Sequence, residues 1–97
     1  MEKELVRIIN KQVDIDLSED ISKNELQQKL TAFINELIVN DFQRLITILY
    51  RIDVDEKKLK RILLENAGTD AAEIITTLVI EREIQKIETR KQFGSKK

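Results

Sequence analysis

Several residues that mark other protein classes are missing from this sequence. The 97 residues include no proline, cysteine or histidine, and only two glycines. Because proline breaks helices and marks turns, its absence favours a chain that is helical nearly throughout. The lack of cysteine excludes disulfides, thiolate metal sites and thiol nucleophiles, and the lack of histidine removes the usual base near neutral pH. Composition therefore predicts an all-α fold and leaves catalysis as the least supported class of function.

The sequence also lacks a strong excess of charge of one sign and a long apolar run. A net charge of −1 gives no overall attraction to nucleic acid or to an anionic membrane. The N-terminal residues are charged and lack the unbroken apolar stretch that is typical of a signal peptide, so we expect none here. The longest apolar-rich segment, Ile74 to Ile80, is far too short to span a bilayer. We therefore expect a cytoplasmic protein with no membrane partner.

Apolar residues recur at helical spacing, and capping signals divide them into a compact bundle of four to five helices with a long C-terminal helix. Ser22 with Glu25 and Asp53 with Glu56 form capping boxes, and Asp41 begins a third helix. The predicted helices cover about 2–13, 23–39, 41–52, 54–66 and 70–92. Gly68 suits the left-handed position that ends a helix, and Thr69 and Asp70 then cap the last one. Residues 1–93 form one predicted domain, and 94–97 a disordered basic tail.

The last helix is apolar on two sides. Its first half carries one stripe, formed by Ala71, Ile74, Ile75 and Leu78. A second stripe, formed by Ile80, Ile84 and Ile87, lies on nearly the opposite side, so the helix needs a second packing partner. Either the first helix covers this second stripe through Leu5, Ile8 and Ile9, which is the favoured interpretation, or another chain does. The second stripe is therefore a candidate interface.

Tyr50 and Arg51 end the third predicted helix and are also interface candidates, because Tyr and Arg often anchor partner surfaces. The structural alternative is that the Tyr50 ring covers the edge of the core with its hydroxyl in water. Arg51 then pairs with Asp53 or Asp55.

The acidic connector before the second helix has the spacing of a calcium loop. Its oxygen-bearing residues are Asp14, Asp16, Ser18, Asp20, Ser22 and Glu25. Glu19 stands where the sharp turn of such a loop needs glycine, and Ser22 and Glu25 are already used in capping. We therefore predict no metal and no cofactor, and we expect Ile15, Leu17 and Ile21 to fix the connector to the core.

The last two helices carry many basic residues, which suggest nucleic-acid binding as the alternative function. These residues are Lys57, Lys58, Arg61, Arg82, Lys86, Arg90 and Lys91. Asp70 and Glu73 oppose this interpretation, because they would bring carboxylates to the phosphates at the start of the last helix. Ion pairing along the helix, as between Glu83 and Lys86, explains the charges as well.

Two segments are similar to a known family. They are Leu49-Tyr50-Arg51-Ile52-Asp53-Val54 and the series Ile80-Glu81-Arg82 with Gln85-Lys86. Together they resemble a family of small uncharacterised all-helical bacterial proteins. The resemblance implies a bacterial cytoplasmic setting, and it carries no activity, cofactor or partner. The sequence thus predicts a non-enzymatic interaction or structural module that binds another protein or a second copy of itself.

Overall fold

The computed structural model describes residues 2–66 and 68–94, which form five helices and no strand. The predicted all-α bundle with a long C-terminal helix is confirmed. The helices are α1 (Glu2–Val13), α2 (Lys23–Asn40), α3 (Phe42–Ile52), α4 (Glu56–Glu65) and α5 (Gly68–Gly94).

Helix α5 is the element around which the others pack. Its 27 residues span about 40 Å, close to the 44 Å length of the molecule. It contacts all four other helices, most extensively α2. Between α2 and α5, Gln27 Nε2 donates a hydrogen bond to Thr77 Oγ1 at 3.4 Å. The buried side chains of all five helices form one core, made mainly of Leu, Ile and Val.

Helix α1 packs on the C-terminal half of α5, in the antiparallel direction. Near the start of α1, Glu4 Oε2 lies 3.9 Å from Lys91 Nζ. Near the end of α1, the Gln12 carbonyl accepts a hydrogen bond from Arg51 of α3. Helix α3 in turn ends beside Arg82, which lies in the middle of α5. The favoured interpretation of the two-sided helix, in which α1 covers its second stripe, is therefore the one that the structure shows.

The acidic connector is fixed to the core as the sequence predicts. Ile15, Leu17 and Ile21 are half-buried and pack against the core. The Asn10 side chain adds a contact that the sequence did not suggest. Its Nδ2 donates to the Leu17 carbonyl and its Oδ1 accepts from the Leu17 N–H, both at 2.9 Å. The side-chain amide of Asn10 thus satisfies the backbone N–H and carbonyl of Leu17, which lie outside any helix.

The predicted starts of α2 and α3 are confirmed. The N–H of Glu25 donates to Ser22 Oγ at 3.1 Å, and the N–H of Arg44 donates to Asp41 Oδ1 at 3.2 Å. Each side-chain oxygen therefore satisfies a backbone donor that the first turn leaves without a partner.

The predicted boundaries around α4 are wrong. Asp53 does not open α4; it ends α3 in the left-handed conformation, and Asp55 is the N-cap of α4. Gly68 does not end α4, because the helix stops at Glu65 with an extended Asn66 and Gly68 is already the first residue of α5.

Thr69 and Asp70 lie within the first turn of α5 and not before it. Of the predicted tail, Gly94 is the last residue of α5, and residues 95–97 lie outside the described part of the chain.

Candidate functional site

The turn between α3 and α4 is held by backbone hydrogen bonds around a left-handed aspartate. Asp53 has φ 73° and ψ 43°, and its N–H donates to the carbonyls of Leu49 and Tyr50. The N–H of Val54 donates to the Leu49 carbonyl at 2.9 Å. This is the Schellman arrangement, in which the residue after the turn also packs back on the helix. Aspartate occupies the position that glycine usually takes, because its short polar side chain tolerates the left-handed region.

Two arginines bind this turn to the rest of the molecule. Arg82 of α5 donates from Nη2 to Asp53 Oδ2 at 3.1 Å, and its Nη1 donates to Gln85 Oε1 at 2.8 Å. Arg51 donates to the Gln12 carbonyl at 3.0 Å and lies 3.7 Å from Asp14. The prediction that Arg51 pairs with Asp53 or Asp55 is wrong, because the left-handed turn directs Asp53 to α5 instead.

A groove of about 430 Å³ runs between α3 and α4 beside this turn. We call it the α3–α4 groove. Its apolar lining residues are Ile46, Leu49, Val54 and Leu59. Tyr50 lines one side, and three carboxylates line the end at the turn: Asp53, Asp55 and Glu56. The groove is therefore apolar along its length and acidic at one end, with no basic residue in its lining.

The outer face of α3 continues this groove. Phe42, Ile46 and Tyr50 are spaced four residues apart, so they lie along one side of the helix; we call them the α3 face. Tyr50 is 85% exposed and Phe42 is 42% exposed, whereas Ile46 is half-buried. The structural alternative for Tyr50 is wrong, because a ring this exposed does not cover the edge of the core. The α3 face is thus an aromatic surface beside an apolar groove.

A second groove, of about 480 Å³, lies on the other side of the turn between α4 and α5. We call it the α4–α5 groove. Val54, Leu78 and Ile84 provide its apolar lining. Its carboxylates are Asp53, Asp55, Glu81 and Glu88, and its basic residues are Lys58 and Arg82. Carboxylates therefore separate the basic side of α4 from the basic side of α5.

The second stripe of α5 does not lie where we expected an interface. Ile87 is fully buried, Ile80 is 5% exposed, and both belong to the core of the single chain. Because α1 covers this side of α5, neither residue is accessible to a second chain, and the prediction is wrong for both. Ile84 is half-buried and lines the α4–α5 groove, so part of its surface faces outward.

The basic residues considered for nucleic-acid binding lie in two different environments. Those of α4, Lys57, Lys58 and Arg61, are exposed on its outer side. On α5, Arg82 pairs with Asp53, and Lys91 lies 3.9 Å from Glu4. The predicted pair of Glu83 and Lys86 is confirmed, at 3.4 Å. Arg90 is exposed on the last turns of α5.

Sequence reasoning paired Glu83 with Lys86 but did not predict that the Glu83 side chain is buried. Its side chain is fully buried, and Lys86 reaches Oε1 while Oε2 has no hydrogen-bond partner among the described residues. The signal was present in the sequence, because Glu83 follows Ile80 by three residues and precedes Ile87 by four. These intervals place the carboxylate inside the second apolar stripe.

Three acidic residues of the connector form ion pairs, Asp14 with α3 and Glu19 and Asp20 with α1. Asp20 lies 3.6 Å from Lys3, and Glu19 lies 3.1 Å from Arg7. Of the capping box predicted for Ser22 and Glu25, the structure shows one half: the Glu25 N–H donates to Ser22 Oγ, and the Ser22 hydroxyl lies 3.5 Å from Glu25 Oε1. Across residues 2–66 and 68–94, no group of three carboxylates is placed to hold a metal ion.

Comparison of this chain with protein-family models, curated proteins and solved structures found no match. The resemblance based on the segment around Tyr50 therefore stays a resemblance. In the described part of the chain, no helix is both long enough and apolar enough to cross a membrane.

Proposed function

We propose that this protein is a non-enzymatic interaction module that binds another protein through the α3 face and the α3–α4 groove. The observation that carries the proposal is the exposed aromatic surface of α3 beside an apolar groove. Tyr50 is 85% exposed although it belongs to a helix that buries its other side in the core. Aromatic side chains dominate the energetics of protein interfaces, and helix-lined apolar grooves are a common docking site.

The rigidity of the turn supports the proposal. The Val54 N–H donates to the Leu49 carbonyl, the Asp53 N–H donates to the Tyr50 carbonyl, and Arg82 holds the Asp53 side chain. A surface that is already ordered loses less conformational entropy on binding. The two interface candidates at the end of α3 then differ in role: Tyr50 presents its ring to the partner, and Arg51 holds the end of α1.

Photo-crosslinking in the native cells tests the proposal. A photoreactive phenylalanine derivative replaces Tyr50 in one variant and Gln28, an exposed residue of α2, in a matched control. We expect a discrete crosslinked protein species from position 50 and none from position 28, with mass spectrometry to identify it. Equal crosslinking from both positions, or none from position 50, would contradict the proposal.

Salt dependence separates this function from nucleic-acid binding. Phosphate contacts weaken steeply as salt rises, whereas an apolar and aromatic contact does not. The α4–α5 groove places carboxylates between the two basic surfaces, which is unfavourable for a continuous phosphate-binding path. A crosslinked product that contains nucleic acid, and whose yield falls steeply when a cell lysate is irradiated at high salt, would replace the proposed function with the alternative.

A further inference from the structure

The acidic end of the α3–α4 groove indicates what kind of partner segment it accepts. Asp53, Asp55 and Glu56 lie at the end where α3 meets α4, and the rest of the lining is apolar or aromatic. We propose that the groove binds an amphipathic helix of a partner protein, with an apolar side along the α3 face and with Lys or Arg at the end beside Asp53. This inference rests on the proposed function and adds the chemistry of the partner.

The spacing of the α3 face favours a helix as the occupant. Phe42, Ile46 and Tyr50 repeat every four residues over about 12 Å, which matches the spacing of apolar side chains on a partner helix. An extended strand would need a sheet edge for its backbone hydrogen bonds, and the described residues form no strand. A helix satisfies its own backbone groups, so it needs only the apolar surface that the groove provides.

The three carboxylates remain accessible although two of them have partners. The side chain of Asp53 is 80% exposed in its pair with Arg82, and that of Glu56 is 65% exposed in its 3.8 Å pair with Lys60. Asp55 uses one oxygen to cap α4 and is exposed. A cation from the partner can therefore approach all three without breaking the turn. Charge complementarity at this end then fixes the direction of the bound helix.

The charges of the groove argue against a second copy of this chain, paired through the same face, as the occupant. A symmetric dimer would place the same surface on both sides of the interface. The lining of the groove includes Asp53, Asp55 and Glu56 and no basic residue, so two copies would bring carboxylates together without a cation. A partner helix with Lys or Arg at one end provides that cation and can contact α3, the turn and α4 together.

The test uses a synthetic helical peptide of leucine and lysine, with the leucines along one side and the lysines concentrated at one end. Two peptides are controls: one with every lysine replaced by glutamate, and one with the same composition in scrambled order. Binding is measured by calorimetry, and the contact surface is mapped by amide chemical shifts. We expect the basic peptide to bind more tightly than both controls. The shifts should centre on Ile46, Tyr50 and Val54.

The matched protein variants remove charge without changing the backbone. In the triple variant Asp53→Asn, Asp55→Asn and Glu56→Gln, asparagine tolerates the left-handed position and still caps a helix. We expect this variant to bind the basic peptide about tenfold more weakly, since three exposed ion pairs are lost. Its affinity for the glutamate peptide should not fall. A control variant with Glu36→Gln, Glu65→Gln and Glu73→Gln, which lie outside the groove, should bind like the native protein.

Three outcomes overturn this inference. They are equal affinity for the basic and glutamate peptides, shifts centred on another surface such as the connector, and dimerisation of the chain through α3 in sedimentation experiments. Circular dichroism confirms that each variant is folded, so a loss of binding reports on the groove. If position 50 crosslinks a protein while the basic peptide fails to bind, the proposed function stands and the partner chemistry is wrong. If position 50 gives no crosslink, the proposed function fails whatever the peptide does.

Discussion

The ends of α1 and α3 are built from nearly the same residues, and their surroundings make them different. Val13-Asp14-Ile15 ends α1, and Ile52-Asp53-Val54 ends α3. Both aspartates are left-handed, with φ 59° and 73°, and in both cases the next residue donates its N–H back to a carbonyl five residues earlier. Each aspartate also pairs with an arginine from another helix.

The two ends differ in the length of the link to the next helix. After α1 the chain continues through residues 14–22 before α2 begins, whereas only residues 53–55 separate α3 from α4. The short link leaves an open groove on each side of Asp53, and the longer connector instead packs on the core through Ile15 and Leu17. The comparison teaches that the same local helix end is followed by a covered surface in one place and by an open groove in another, according to the length of the link.

Among substitutions at the two helix ends, those of the buried residues should change the free energy of unfolding most. We expect Ile52→Ala to lower the free energy of unfolding by about 3 kcal/mol and Val13→Ala by about 2 kcal/mol, since isoleucine loses more buried surface and leaves a larger cavity. Both side chains are almost fully buried, at 0% and 2% exposure. Urea denaturation followed by circular dichroism measures both values. A larger loss at Val13 would show that the end of α1 is the better packed of the two.

Valine at each left-handed position tests the backbone itself. Asp53→Val and Asp14→Val should each cost about 2 kcal/mol, because a β-branched side chain is strained at positive φ. Asp53→Gly and Asp14→Gly are the matched controls and should be much less destabilising. If valine and glycine have the same effect at either site, the left-handed geometry there is not what the aspartate provides.

Arg82 should contribute more than Arg51 to the free energy of unfolding. Arg82→Met is expected to cost about 1 kcal/mol, whereas Arg51→Met is expected to cost about 0.5 kcal/mol or less, because exposed ion pairs are weak. The pair of Arg82 and Asp53 is shorter, at 3.1 Å against 3.7 Å, and the Arg82 side chain is less exposed than that of Arg51. Double-mutant cycles with Asp53→Asn and Asp14→Asn, repeated at high salt, give the coupling energies. Equal coupling energies for the two pairs would show that Arg82 and Arg51 stabilise their helix ends equally.

The smallest effects on stability should come from the residues three positions before each aspartate. Lys11→Ala and Tyr50→Ala replace exposed side chains and should change the free energy of unfolding by less than about 0.5 kcal/mol. Their effects on binding should differ, since Tyr50→Ala weakens binding of the basic peptide and Lys11→Ala leaves it unchanged. A marked loss of stability in Tyr50→Ala would mean that its ring supports the fold and not a partner surface.

The sequence predicts most of this fold because its helix signals are strong and local. The helix caps at Ser22 and Asp41 each depend on a few consecutive residues, and both are present in the structure. Asp53 shows the limit of such signals. An aspartate followed three residues later by Glu56 suits a helix start, but it suits a left-handed helix end equally well. The hydrogen bonds of Val54 and the position of Arg82 decide between the two, and both depend on the folded chain.

The candidate site could be predicted only in part. Tyr50 is identifiable from its residue type and its place near a helix end, yet its exposure follows from the direction in which α3 packs on α5. The grooves beside Asp53 need the relative positions of three helices, which no local pattern contains. For Ile80 and Ile87, the local pattern was interpreted correctly but the predicted interface was wrong. Their spacing indicates the apolar stripe correctly, but the cover that α1 provides comes from the far end of the sequence.

The packing of α1 on α5 has a consequence for synthesis on the ribosome. Glu4 and Lys91 are neighbours in space, although nearly the whole chain separates them in sequence. At about 5–20 residues per second, α1 waits on the order of ten seconds for the end of α5 to be made. During that interval the apolar side of α1, with Val6 and Ile9, has no native partner on α5. Nascent chains of this protein should therefore be bound by chaperones until α5 has been made.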